Sequence, residues 1–286
     1  MRPPVAIGGQ GGSGTRVVAA MLQAAGYYIG GDLNRALDNL WYTVLLKRRT
    51  LGVDAERAAL EVFVDGMAGR LDRTDERAVR LLAEAATAVS IHGHSTTGAG
   101  QGAWAFQRVV SLLTAQDAAR PTDARWAWKE PNTHIRLPAL IDALPGLRYI
   151  HVVRHGADMA FSRNQAQLYW WGPSFGIEPP SDPQLVPAAS LSYWVHTTRR
   201  AVELGERWLG ERFLLIRFED ACARPAETAG RVLAFLGEPV TAELVQQLAA
   251  LPEAPSSIGR HREADLTVFD PADLAAVAGF GYEVDG

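Results

Sequence analysis

A short apolar segment, Val5 to Ile7, runs directly into a stretch in which five of seven residues, 8 to 14, are glycine. Helical periodicity follows, with apolar residues at Val17, Val18, Met21 and Leu22. A strand, a glycine turn and a helix together form an anion site, because backbone N–H groups at the helix start lack partners and glycine lets the chain curl around a ligand. The sequence therefore predicts an anion-binding loop at Gly11, Gly12, Ser13, Gly14, Thr15 and Arg16.

Three interpretations of this loop compete. The ATP and GTP version requires lysine where Thr15 stands, and the later apolar segment 148–153 ends in Arg154 rather than in a metal-binding aspartate. Both departures argue against an ordinary kinase or NTPase. The dinucleotide version is satisfied by Gly9, Gly11 and Gly14, with Asp32 at the distance of a ribose-binding acid. A Rossmann-type oxidoreductase that uses NAD(P) is therefore one alternative, and a glycine turn without a ligand is another.

Further along the chain, apolar segments alternate with helical sequence. Strands are predicted at 27–29, 125–128, 148–153 and 213–216, and helices at 35–48, 54–70, 75–89 and 103–116. This alternation is typical of an α/β fold with a P-loop-like parallel sheet wrapped by helices. We expect a single domain over 1–286, with a helical insertion at about 34–120 and a proline-rich lid loop at about 168–189.

Composition narrows the functional class. The 286 residues carry a formal charge of -4 and a pI near 6.0, which argues against a nucleic-acid binder. The single cysteine, Cys222, excludes an internal disulfide. No apolar run is long enough for a membrane span, and no signal peptide is recognised, so we expect a cytoplasmic protein.

A second anion site is predicted where the segment 148–153 ends. Arg154 would lie at the carboxyl end of that strand, and Ser162 would lie in a helix that begins near Ala157. An arginine fork and a serine hydroxyl could bind one phosphate together. Either residue alone is more often a surface ion pair or an exposed hydroxyl.

The two sites together resemble the sulfotransferases that use 3′-phosphoadenylyl sulfate (PAPS). Ser13-Gly14-Thr15 matches the family's loop for the 5′-phosphosulfate, and Arg154 with Ser162 matches its site for the 3′-phosphate. Three further segments are similar to the family pattern: Trp128 to Asn132, Phe218 to Asp220 with Pro225, and Phe235 to Gly237. The resemblance runs from about residue 5 to 262. It implies PAPS as co-substrate, no metal, and transfer of a sulfuryl group to a hydroxyl or amine of a small-molecule or carbohydrate acceptor.

The resemblance also implies further roles. A basic loop with Arg260, His261 and Arg262 would close over the 3′-phosphate. Many members carry lysine or arginine just before Ser-Gly-Thr, where this chain has Gly12, so Arg16 or Lys129 would have to neutralise the leaving group. A catalytically silent nucleotide-binding relative is consequently a further alternative.

The acceptor requires a general base. Glu130 and His94 are the first candidates, followed by His92, His134 and Asp38. His92 and His94 lack a third placed ligand, so no metal site is predicted. The aromatic run 169–171 is suited to stacking on a flat ring or a sugar face.

Overall fold

A parallel four-stranded sheet forms the centre of the computed structural model, which describes residues 2–94, 102–117 and 124–284. Its strands are β1 (Val5–Gly9), β2 (Ala127–Lys129), β3 (Arg148–Val153) and β4 (Phe213–Arg217), in the order β2-β1-β3-β4. Every neighbouring pair is parallel, so all four carboxyl ends lie at the same edge of the sheet. The predicted α/β class and parallel sheet are confirmed.

Helices make up most of the rest of the described chain. They are α1 (Thr15–Ala24), α2 (Leu40–Leu46), α3 (Val53–Ala68), α4 (Glu76–His92), α5 (Gly102–Thr114), α6 (Leu137–Ala143), α7 (Gly156–Ala160), α8 (Ala166–Trp171), α9 (Val186–Leu209), α10 (Phe218–Ala223), α11 (Pro225–Leu236), α12 (Ala242–Ala249) and α13 (Pro271–Gly279). Within the described ranges, no helix is both long and apolar enough to span a bilayer.

The two faces of the sheet bury different sets of helices, because side chains alternate along each strand. Ala6, Trp128 and Tyr149 point to the face covered by α2 to α5, the predicted insertion. Ile7 and Ile150 point to the opposite face, which packs against α1, α11 and α12. Both faces are buried, which explains why the strands appear as continuous apolar segments rather than alternating ones.

Three predicted elements differ from the observed ones. The helix predicted from residue 35 begins only at Leu40, because the Asn34 side chain accepts backbone N–H groups of Ala36 and Asp38 and holds a turn there. The segment 27–29 forms only an isolated bridge, between Tyr28 and Trp126. The predicted lid at 168–189 overlaps α8 at its start and α9 at its end, so the non-helical part is shorter and contains two 3-10 turns.

Candidate functional site

The glycine loop joins β1 to α1 at the carboxyl edge of the sheet. Its backbone has φ of 96° at Gly12 and 91° at Gly14, a left-handed region that favours glycine. Gln10 ties the loop to α9, since its Nε2 donates to Oγ1 of Thr197 at 2.6 Å. The Ser13 hydroxyl is buried and has no hydrogen-bond partner among the described residues. A buried donor of this kind at a helix start is a ready partner for an anion.

Arg154 lies directly beside this loop. It follows β3, and β3 pairs with β1 in a register that places Val152 opposite Gly9. The Arg154 side chain is buried, and one terminal nitrogen donates to Oγ of Ser257 at 2.8 Å. Its Nε has no partner within the described part of the chain. Burial lowers the pKa of Arg154, which means that its charge is only partly compensated and would be stabilised by an anion.

Phe218 separates the two anion sites and contacts both. Its ring lies 5.5 Å from the Arg154 guanidinium carbon. A Cβ atom on Gly14 would overlap the same ring, so only glycine allows the helix start to approach β4 this closely. The ring therefore forms a flat apolar floor between the glycine loop and the arginine.

Ser162 does not lie in a helix, contrary to the prediction. The helix α7 ends at Ala160, where Nε2 of Gln165 donates to the carbonyl oxygens of Met159, Ala160 and Ser162. Ser162 is half-buried in the turn that follows, where its Oγ accepts the N–H of Asn164 at 3.3 Å.

The basic loop 257–262 is anchored by a residue that the sequence analysis missed. The Asp158 carboxylate accepts the backbone N–H groups of Gly259 at 2.7 Å and His261 at 3.0 Å. It also lies 2.7 Å from Nδ1 of His261. Asp158 thereby holds the loop so that Ser257 reaches Arg154. An acidic residue amid the apolar sequence 156–160 was the available signal.

The three predicted side chains of this loop differ in their availability. His261 is buried against Asp158, Arg260 is half-buried with Nε donating to the carbonyl oxygen of Ser257 at 3.2 Å, and Arg262 is exposed. The loop therefore brings the Ser257 hydroxyl into hydrogen-bond contact with Arg154, and the charge of Arg260 is near enough to lower the pKa of Arg154.

His155, Asp158 and His261 place potential metal-ligand atoms within 4.8 Å of one another. However, the two imidazole rings stack with centroids 3.8 Å apart and planes 15° apart. Parallel stacked rings point their nitrogen lone pairs in parallel directions rather than toward one ion. The cluster is better explained as the anchor of the loop, with His155 Nε2 bonded to the carbonyl oxygen of Glu283 at 2.7 Å.

A cavity of about 490 Å³ opens beside the glycine loop and Phe218. Arg16 lines this cavity from the first turn of α1. The opposite wall includes Leu37, whose φ of 62° makes it the one described residue other than glycine in the left-handed region. The remaining lining residues are Val17, Ala20, Arg35, Leu251, Glu253, Ala254 and Pro255.

Lys129 supports the wall of this cavity instead of facing the glycine loop. It is buried, and its Nζ donates to the carbonyl oxygen of Ala36 at 2.8 Å and forms an ion pair with Asp38. These contacts fix the segment on either side of Leu37. Asp38, a candidate base, is therefore already engaged.

Glu130 is fully buried at the end of β2. One carboxylate oxygen lies 2.8 Å from Nζ of Lys47, and the other accepts the backbone N–H of Asn132 at 2.8 Å. Both oxygens are thus occupied. His134, another candidate base, is buried beside His151, and burial holds the pKa of its imidazole well below its ordinary value.

His94 stacks on Trp104, with ring centroids 4.3 Å apart, while the residues that follow it, 95–101, lie outside the described part of the chain. His92 is exposed and lines a second cavity, together with Trp170. Of the aromatic run, Trp171 is buried in the core and Tyr169 is exposed.

The dinucleotide interpretation does not fit this geometry. A ribose-binding acid would stand at the end of a strand next to β1, and the neighbours of β1 are β2 and β3. Asp32 instead forms an ion pair with Arg108 at 3.2 Å and accepts a hydrogen bond from Ser111.

Comparisons with known proteins agree with this architecture. A family model described as "Sulfotransferase family" matches residues 3–242. Sulfotransferase STF9 from Mycobacterium avium is similar, with a TM-score of 0.51 and 17% identity. The match covers 99% of this chain and 77% of the STF9 chain. The sulfotransferase domain of the Synechococcus PCC 7002 olefin synthase has a TM-score of 0.51 and 16% identity, covering 99% and 95%. At such identities these structures show the shared P-loop-like fold. No curated protein matches the sequence.

Proposed function

The chain belongs to the sulfotransferase family, and from this we propose that it transfers the sulfuryl group of PAPS to a hydroxyl or amine of a small acceptor. The observation that carries the proposal is a pair of unfilled buried donors at neighbouring strand ends. The Ser13 hydroxyl follows β1, and Nε of Arg154 follows β3. Adjacent strands lie about 4.8 Å apart, so the two sites suit two phosphates of one nucleotide.

In this proposal, the loop Gly11 to Arg16 binds the 5′-phosphosulfate, and Arg154 with Ser162 binds the 3′-phosphate. The adenosine occupies the 490 Å³ cavity beside Phe218. Ser257 keeps one Arg154 nitrogen in place, which leaves Nε and the rest of the fork for the phosphate. Arg260, His261 and Arg262 complete the loop that covers it.

The proposed reaction is an in-line transfer at sulfur. The acceptor oxygen or nitrogen forms the new bond to sulfur, the bond between sulfur and the phosphate oxygen breaks, and 3′,5′-ADP leaves. The acceptor proton passes to a general base. Positive charge near the leaving phosphate lowers the barrier, as in phosphoryl transfer. Arg16 supplies that charge from the first turn of α1, because Lys129 is already paired with Asp38.

The deciding experiment is calorimetric titration with 3′,5′-ADP, 5′-AMP and NAD. We expect 3′,5′-ADP to bind more tightly than the other two, because only it fills both anion sites. The Arg154→Ala variant should lose about 10- to 100-fold of this affinity, since a charge-assisted hydrogen bond contributes about 1.5–3 kcal/mol. Binding of 5′-AMP should change little.

Arg163→Ala is the matched control, because Arg163 is an exposed arginine nine residues further on. It should bind 3′,5′-ADP like the unaltered protein. Equal affinity for all three nucleotides would contradict the proposal. Tight binding of 3′,5′-ADP without transfer to any acceptor would instead identify a nucleotide-binding relative that lacks catalysis.

A further inference from the structure

A second cavity, of about 330 Å³, shares no lining residue with the cavity beside Phe218. It is bounded by the chain just after α2, by the last turn of α4 and its cap, and by α8. Its lining residues are Arg48, Arg49, Thr50, Ala88, His92, Gly93 and Trp170. The nucleotide sites described above use none of them.

This cavity carries positive charge that the described residues compensate only in part. Neither Arg48 nor Arg49 forms an ion pair with any described residue. The Arg136 guanidinium donates to the carbonyl oxygen of Arg48 and is itself paired with Glu56 at 3.4 Å. Burial and then the charge of Arg136 lower the pKa of Arg48, while the negative charge of Glu84 raises it. An anion in the cavity would stabilise the charges of Arg48 and Arg49.

Trp170 gives the cavity a flat apolar wall. The Arg49 guanidinium lies 5.6 Å from the centre of its ring, so the charge and the indole face act side by side. The indole Nε1 is buried and has no hydrogen-bond partner among the described residues. A ligand with an acceptor oxygen beside a ring would satisfy both features.

Helix α8 connects the cavity to the glycine loop. Gln167 packs against the loop, because a Cβ atom on Gly11 would lie 2.7 Å from its Nε2. Gln167 and Trp170 are three residues apart in α8 and therefore lie on the same face, one turn or about 5 Å apart along the axis. The same face of α8 thus contacts the loop through Gln167 and lines the cavity through Trp170.

We propose that this cavity binds the acceptor, and that the acceptor carries a carboxylate, phosphate or sulfate beside a flat ring or sugar face. Arg48 and Arg49 bind the anionic group, and Trp170 contacts the ring. This inference rests on the proposed function and specifies its substrate class: neutral acceptors should be disfavoured because they leave the arginines unpaired.

The test uses two probes of the same shape, 6-hydroxy-2-naphthoate and the neutral 6-hydroxy-2-naphthamide. Calorimetric titration is done with and without 3′,5′-ADP. We expect the naphthoate to bind at least about tenfold more tightly, a difference of about 1.4 kcal/mol. The variant R49Q should remove this preference and leave the affinity for 3′,5′-ADP unchanged. W170L should weaken both probes.

The matched control is R80Q, which removes an exposed arginine from α4 outside the cavity and should leave all affinities unchanged. Equal binding of the two probes would overturn the inference, as would a preference that survives R49Q. Failure of the naphthoate to bind at about 1 mM would also overturn it. Because 3′,5′-ADP is titrated separately, failure of the nucleotide site would be recognised on its own.

Discussion

Glu130 and Lys47 form an ion pair at the end of β2 in which the carboxylate has no exposed surface. An acceptor could reach Glu130 only if this pair opened. Its second oxygen caps the turn that follows, through the N–H of Asn132. These contacts suit a residue that joins α2 to the sheet better than one that exchanges protons with a substrate.

A double-mutant cycle tests this role. We expect Glu130→Gln and Lys47→Met each to lower the free energy of unfolding, and the pair to show a coupling of about 1–3 kcal/mol. Urea unfolding at pH 7 measures it. If the coupling energy were zero, the ion pair would contribute nothing to stability, and Glu130 would return as the first candidate for the base.

Among single residues, the sequence identified those that end strands and missed those that act through a fold contact. The position of Arg154 at the end of β3 could be predicted because the apolar segment before it is clearly a strand. The roles of Asp158 and Gln167 could not be predicted. Asp158 binds the loop at 259–261 and Gln167 contacts Gly11, and both partners are far away in the sequence. The ion pair between Lys129 and Asp38 could not be predicted either, because the two residues are far apart in the sequence.

At the scale of elements, the glycine loop offers a matched pair of substitutions. Gly12 and Gly14 both have a positive φ, so alanine at either position costs about 1–2 kcal/mol of backbone strain. A Cβ atom on Gly12 would lie 3.5 Å from Met159, an ordinary contact, whereas one on Gly14 would overlap Phe218. We therefore expect Gly14→Ala to be clearly the more destabilising of the two.

Urea unfolding of the two variants measures the difference directly. Gly14→Ala should also lose affinity for 3′,5′-ADP, because Phe218 has to move away from both anion sites. Equal losses of stability would mean that the ring yields freely, and that Phe218 is not a fixed floor of the nucleotide site.

The elements themselves were predicted unevenly. The strand at 148–153 and the helices after the glycine loop follow clear periodicity, and their bounds were nearly right. The helix predicted for the stretch before α2 was wrong. The composition of this stretch favours a helix, but the Asn34 side chain and Lys129 hold it in turns. Tertiary contacts of this kind override local propensity and leave little trace in the sequence.

For the molecule as a whole, acid should destabilise the fold through buried histidines. Burial lowers the pKa of His151 to about 3, against an ordinary value of 6.5. The folded state therefore keeps His151 neutral, while the unfolded chain takes up a proton below about pH 6.5. The stability that depends on this residue is complete above that pH and is lost progressively as the pH falls toward 3.

Between pH 6 and 5, we expect the free energy of unfolding of the unaltered protein to fall by about 1 kcal/mol more than that of a His151→Gln variant. Urea unfolding at several pH values compares the two. His134 lies beside His151, with its pKa lowered in the same direction, so the variant should keep part of the dependence. Parallel curves would show that His151 is charged or solvated in the folded state.

The position of β1 in the sheet has a consequence for the order of synthesis. Val5 pairs with Ala127 on one side and with Arg148 on the other, so both partners of this early strand are made much later. On the ribosome, β1 has no partner strand until β2 has emerged and only one until β3 follows, while α2 to α5 can already pack locally. The proposed nucleotide site is therefore completed late, and a nascent chain that stops before Arg148 leaves an apolar strand with an open edge.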